Sequence, residues 1–175
     1  SRSTTMNNEK LKTLIITAVL AALCCVATIV IQIPSPANGY MNLGDAIVLF
    51  SAFSLSPIYA AAAAGIGSAM ADVLTGYAYY APGTLIIKAL MAITACLIFK
   101  KFKATHEFSG LLLSSLAAEA IMVVGYFGYS ALLLGNGLSA LASIPSNLLQ
   151  AAVGLTAAVA IYKIMPAKAK SFQAQ

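Results

Sequence analysis

The chain has 175 residues, 61% of them apolar and 9% charged, with a mean hydropathy of +0.90; an ordinary soluble domain is about half apolar and about a quarter charged, so a water-soluble globule is excluded. At about 20 residues per membrane-spanning helix plus short turns, this length holds about six spans and leaves no room for a sizeable catalytic domain outside the membrane. Ten Lys and Arg against five Asp and Glu give a formal charge of +5, and where those charges sit matters more than their sum.

Residues 1–5 precede Met6 and read as an appended tag, set apart from a single membrane domain over residues 6–170 and a tail at 171–175. Apolar runs bounded by breakers predict an all-α integral membrane protein with six transmembrane helices, Leu11–Ile33, Leu43–Leu55, Pro57–Tyr77, Gly83–Phe99, Phe108–Leu134 and Leu141–Met165. The first run is long enough to span and shows no small-residue cleavage site, so no cleavable signal peptide is expected. The second is short and is parted from the third only by Ser56-Pro57, so it is expected to tilt or to cross incompletely. The breaks fall at Ile33 to Gly39, Gly76 to Gly83, Lys100 to Glu107 and Gly135 to Gly137, the Pro, Gly and Asn clusters of turns. No internal repeat is evident.

Basic residues set the orientation, because short loops rich in Lys and Arg stay in the cytoplasm. With the N-terminus inside, the cytoplasmic set is Arg2, Lys10, Lys12, Lys100, Lys101, Lys103, Lys163, Lys168 and Lys170, nine of the ten basic residues. The three opposite loops hold none, so both termini are expected to be cytoplasmic. These charges are accounted for as topology signals, and no nucleic-acid partner is expected.

Removing them leaves Asp45, Asp72, Lys88 and Glu119 in or at the ends of spans. An ionisable residue costs about 2.5–3.5 kcal/mol at a helix centre, so each is expected to face a cavity or another such residue. Asp45 opens the second helix, Asp72 ends the third and Lys88 starts the fourth, all in the outer half; Glu119 falls near mid-depth of the fifth. A structural ion pair between Lys88 and one of the acids accounts for part of the set. Even so, net negative charge remains unless one acid is protonated or a polar ligand supplies donors.

The same outer end gathers Asn38, Tyr40, Asn42, Tyr77, Tyr79, Tyr80, Tyr126, Tyr129, Asn136, Ser146, Asn147 and Gln150. Interfacial belts use tyrosines routinely. Asn147 and Gln150, however, share one helix face, and a lipid-facing surface would not keep two amides there. Aromatic walls with a few donors and acceptors suit the capture of a small flat polar solute, and the long first, third and fifth loops are placed to close over it. The candidate substrate residues are Asn42, Asp45, Asp72, Tyr80, Lys88, Glu119, Tyr126, Asn147 and Gln150.

On the first helix, Ala18 and Ala22 form a small-xxx-small pair, and Ala60 to Ala64 with Gly65, Gly67 and Ser68 form a denser small face on the third. Such faces pack helices within a bundle or against another membrane protein. Cys24, Cys25 and Cys96 lie in apolar runs, where a thiol is a small buried hydrophobe, and with the lone His106 they give no metal spacing. Without a Ser/His or paired-Asp motif, an intramembrane enzyme is not expected.

Three stretches carry a resemblance: Ala18 to Ala22, then Asn42-Leu43-Gly44-Asp45-Ala46, then Gly65-Ile66-Gly67-Ser68-Ala69-Met70-Ala71-Asp72 followed by Gly76-Tyr77-Ala78-Tyr79-Tyr80-Ala81-Pro82 and Lys88. Together with six spans and both ends inside, the chain resembles the substrate-binding S components of energy-coupling factor (ECF) vitamin transporters, in the riboflavin, hydroxymethylpyrimidine and pyridoxine subgroup. The resemblance implies a plasma-membrane subunit, in a bacterium, that binds a vitamin at the outer face and has no ATPase of its own. A T transmembrane subunit and two cytoplasmic ATPases would use ATP to deliver the vitamin inward. It also implies that Ala18 and Ala22 dock the partner and that the outer loops gate the site.

The chain has no Gly-rich Lys-Ser/Thr phosphate loop, in keeping with energy supplied by partners and with no cofactor of its own. Lacking Trp, it must stack a ring on Tyr or Phe. Acids beside tyrosines favour a small neutral or weakly basic heteroaromatic alcohol, while Lys88 donates and cannot accept. That orders the ligands as pyridoxine, then hydroxymethylpyrimidine, then riboflavin. The competing reading is a small proton-coupled secondary transporter with Glu119 as carrier.

Overall fold

The computed structural model describes residues 2–36 and 39–166, with side chains from residue 7 onward. Asn38, Lys168, Lys170 and the tail at 171–175 lie outside the described residues. Six α-helices follow one another as α1 (Arg2–Val30), α2 (Gly44–Ser54), α3 (Pro57–Leu74), α4 (Ala81–Phe102), α5 (Glu107–Gly128) and α6 (Ile144–Ile164). A short antiparallel ladder, β1 (Gln32–Pro34) with β2 (Tyr40–Asn42), joins α1 to α2. A π-helical turn (Tyr129–Leu133) and a 3-10 turn (Gly137–Ser143) join α5 to α6.

Prolines mark several of the starts. Pro57, Pro82 and Pro145 each stand in a first turn, where the missing N–H has no intrahelical partner to lose. Several mid-helix hydroxyls are satisfied locally: Thr17 donates to the Thr13 carbonyl at 2.7 Å and Thr28 to that of Cys24 at 2.7 Å, which keeps these polar groups paired where no water is available.

Among the described residues, five helical segments are long and apolar enough to cross a membrane, against the six spans expected. The exception is α2. Its 11 residues extend about 16 Å, short of a hydrocarbon core about 30 Å thick. Nine of its residues, Asp45 among them, are buried, and it touches each of the other five helices. A helix wrapped by protein meets protein at its ends rather than lipid, so it need not match the bilayer.

The exterior is the reverse of a soluble protein's. Leu132, Leu138 and Ile164 are each at least 80% exposed, a surface that belongs against acyl chains rather than water. Inside, glycines bring backbones together: a Cβ on Gly65 would stand 2.9 Å from the Leu85 carbonyl of α4, and one on Gly67 would strike the backbone of Ala21 and sit 2.9 Å from the Cys24 Cβ of α1. Without a strong hydrophobic drive between helices in lipid, such close approach supplies the packing.

The two ends of the bundle differ. One carries Lys100 and Lys101 in the last turn of α4 and Lys163 in the last turn of α6, where cations meet the negative ends of the helix dipoles. Just inside it, Phe53, Phe99 and Tyr162, all fully buried, interlock with ring centroids 5.1–5.7 Å apart. The other end carries the β1–β2 ladder, the Tyr77–Tyr80 turn and the start of α6.

Candidate substrate-binding site

At the ladder end the helices part around a cavity enclosing about 510 Å3 of non-atom space, its open mouth included. Each wall comes from a different element. The ladder supplies Tyr40 and, at its end, Asn42; α3 supplies Ser68 and Asp72; α4, with Tyr80 at its N-cap, supplies Thr84 and Lys88. Tyr126 projects from α5, and Asn147 and Gln150 from α6.

Seven of the nine expected substrate residues therefore border one cavity: Asn42, Asp72, Tyr80, Lys88, Tyr126, Asn147 and Gln150. Asp45 and Glu119 do not border it: Asp45 faces protein donors, and both Glu119 oxygens are buried with no hydrogen-bond partner among the described residues. Lys88 Nζ donates to Asp45 Oδ1 in a buried ion pair, and Gln150 Nε2 donates to Asp45 Oδ2 at 3.1 Å. Both Asp45 oxygens thus face protein donors. Glu119, 3% exposed, lies against this pair with Gly154 of α6 beside both acids; a Cβ there would stand 2.7 Å from Asp45 Cβ and 3.4 Å from Glu119 Oε1.

The Asp45 cluster reaches the wall through Gln150. Its Oε1 accepts from the Asn42 backbone N–H at 3.0 Å, while Asn42 Oδ1 accepts from the Gly44 N–H at 2.7 Å. Gly44 itself has no space for a side chain, since a Cβ would collide with the Thr28 hydroxyl. One relay thereby fixes the start of α2, the end of β2 and the inner face of α6.

Tyr40, Tyr80 and Tyr126 line the cavity, and further tyrosines pack around the first two. Tyr40 packs on Tyr77 with centroids 4.4 Å apart, Tyr79 on Tyr80 at 5.2 Å, and Tyr80 on Tyr129 at 5.8 Å. Tyr129 opens the π-helical turn, lies over Gly83 and donates its hydroxyl to the Tyr79 carbonyl at 2.6 Å. Deeper in, the Thr84 and Tyr126 hydroxyls pair at 2.8 Å, and Lys88 Nζ stands 5.7 Å from the Tyr126 ring centroid. Tyr40 donates to Asp72 Oδ1. Burial, with the Asp72 charge beside it, pushes the Tyr40 phenol well above its ordinary pKa and keeps it a donor.

Thr28, Ser68, Thr84 and Ser143 also line the cavity; the sequence did not mark them as site residues, and Ser68 stood out only as part of a small packing face. Ser146 and Asn136, expected in the polar gathering, instead bond Ser143 and Ser130. Ala18 and Ala22 are both exposed on α1, one turn apart and clear of the Gly67 contact made by Ala21.

A sequence profile of the ECF-type riboflavin transporter S component family matches residues 8–167. The chain belongs to that family. An uncharacterised protein from Pyrococcus woesei, described as lying in a gap 3' region, is 36% identical to this S component over 132 residues, covering 74% of this chain and 85% of the relative. A solved structure titled "Structure and mechanism of the S component of a bacterial ECF transporter" shares the fold with a TM-score of 0.67 at 20% identity, covering 88% of this chain and 95% of that one.

S components are substrate-binding subunits of transporters and not enzymes. They bind a vitamin and work with a T component and ATPases. This S component is accordingly a multi-pass membrane protein whose task is binding.

Proposed function

We propose that this S component captures a small heteroaromatic vitamin in the ladder-end cavity, facing the outside of the plasma membrane, and passes it inward when a T subunit and two ATPases engage it. The observation that carries the reading is the cavity itself, with tyrosine rings and Lys88, Asp72, Asn147 and Gln150 on its walls. Rings stack the solute and the polar groups orient it. The ion pair and the Gln150 relay hold the polar groups in place before the ligand arrives, which lowers the ordering cost of binding.

The orientation rests on the lysines. Lys10, Lys12, Lys100, Lys101, Lys103 and Lys163 all belong to the end opposite the cavity, the end that the positive-inside rule puts in the cytoplasm. Both termini are then cytoplasmic, with α2 completing a sixth crossing inside the bundle. Below the cavity, the Phe53, Phe99 and Tyr162 cluster closes the cytoplasmic half, so release inward requires the partners. Ala18 and Ala22, exposed on α1, are the docking face for the T subunit.

Among vitamins we favour one-ring alcohols, pyridoxine before hydroxymethylpyrimidine, with riboflavin third as the ligand in the family's name. Titration calorimetry of the purified chain with the three tests this directly. Stoichiometric binding of a one-ring vitamin at nanomolar affinity, about −12 kcal/mol, is the expected result. Binding of riboflavin alone would overturn the order, and binding of none would overturn the site. The proton-coupled alternative would route uptake through Glu119 alone, a residue behind the wall rather than on it.

A further inference from the structure

Four ionisable side chains are buried in or beside the cavity, and their hydrogen bonds divide them unequally. Asp45 has both oxygens engaged, by Lys88 and by Gln150. Glu119 stands behind the wall. Lys88 borders the cavity with its charge matched by Asp45. Asp72 also borders it, only 3% exposed: Tyr40 donates to Oδ1, but Oδ2 is buried with no hydrogen-bond partner among the described residues. Thr84, beside it, pairs with the Tyr126 hydroxyl.

An unmet carboxyl oxygen in such a place is destabilising if nothing fills it, because it has left water and gained no donor. Buried side-chain oxygens of Ser51, Ser115 and Glu119 are also without a hydrogen-bond partner among the described residues, but none of those residues lines the cavity. On the cavity wall, the open Asp72 oxygen marks where an occupant can bring a proton donor.

We infer that Asp72 is the specificity-determining residue of the site, selecting heteroaromatic rings that present an amino, hydroxyl or ring N–H donor to its Oδ2 and rejecting anionic rings. This rests on the proposed vitamin-binding function and narrows its substrate class to neutral or cationic donor-bearing rings. Lys88 does not reverse the preference, since its charge is already countered by Asp45. A carboxylate brought beside Asp72 would meet like charge across a poorly hydrated gap and leave Oδ2 unpaired.

The test compares pyridoxine, pyridoxamine and 4-pyridoxic acid, one ring carrying a hydroxymethyl, an aminomethyl or a carboxylate group, by titration calorimetry in lipid nanodiscs. Wild-type protein is expected to bind the first two and to bind the acid at least about 100-fold more weakly, the scale on which a buried unpaired polar group discriminates. Asp72→Asn keeps the shape and an acceptor but removes the charge. It is expected to weaken pyridoxamine by about 10-fold and to tighten the acid, narrowing the gap.

Equal wild-type affinity for all three rings overturns the inference without recourse to the variant, so a poorly folded Asp72→Asn cannot shelter it. A variant that shifts all three ligands by one common factor overturns it too, reducing Asp72 to a structural prop. In both cases the vitamin-binding function stands. Wild-type protein that binds none of these rings and neither hydroxymethylpyrimidine nor riboflavin defeats the function itself, and the inference with it.

Discussion

Lys88→Met is expected to lower stability by about 3–5 kcal/mol, because it strands the Asp45 carboxylate at 0% exposure with Gln150 as its remaining donor. In a chain of this length that is a fall of about 10 °C in the thermal midpoint. The cost comes from leaving one buried charge unmatched, and it is larger than the pair's own net worth. Removing both charges together, as Asp45→Asn with Lys88→Gln, is therefore expected to recover most of the lost stability, since the amide at 45 still accepts from Gln150 Nε2. Vitamin binding is not expected to return, because Lys88 is part of the cavity wall. Thermal melts of the parent, the single and the double variant in one detergent decide the matter. A single variant as stable as the double would show that the pair is not the buried anchor described here.

The second large effect concerns assembly. Ala18→Phe with Ala22→Phe is expected to abolish copurification with a T subunit, a loss of about 100-fold or more in affinity, because close helix approach in lipid depends on small side chains. Both alanines are exposed, and the close contact of α1 with Gly67 of α3 is made by Ala21 and Cys24 instead. Vitamin affinity of the isolated chain should accordingly stay within about twofold of the parent. If binding fell and copurification survived, α1 would present a different face to the partner.

Much of this architecture was legible in the sequence because membrane helices announce themselves by composition and because Pro57, Pro82 and Pro145 fix where three of them begin. Lys88, Asp72, Asn147 and Gln150 stood out because polar groups are costly in lipid and need a reason to be there. The ladder did not show: two strands of three residues are too short to display a period of two, and Pro34 within β1 argues against a strand. The π-helical turn at Tyr129 has no residue signature.

Thr28 and Ser68 were missed for a physical reason. A hydroxyl inside a helix is commonly satisfied by its own backbone, as Thr28 is by Cys24, so only the packing of α1 and α3 reveals that both also face a cavity. Asp45 and Glu119 err in the other direction. An acid in a span is a fair candidate for the wall, yet which acid Lys88 engages depends on helix rotation, and α2 turns Asp45 toward α4 and α6 rather than toward the opening.

Native mass spectrometry of the chain purified gently from membranes reads out vitamin capture itself, because high-affinity capture by a lone subunit retains its ligand through purification. One bound small molecule per chain is expected, with the mass of a one-ring vitamin, lost from Lys88→Met and displaced by excess pyridoxine or hydroxymethylpyrimidine. A chain that carries no ligand, and acquires none when these vitamins and riboflavin are added at micromolar concentration, would contradict it.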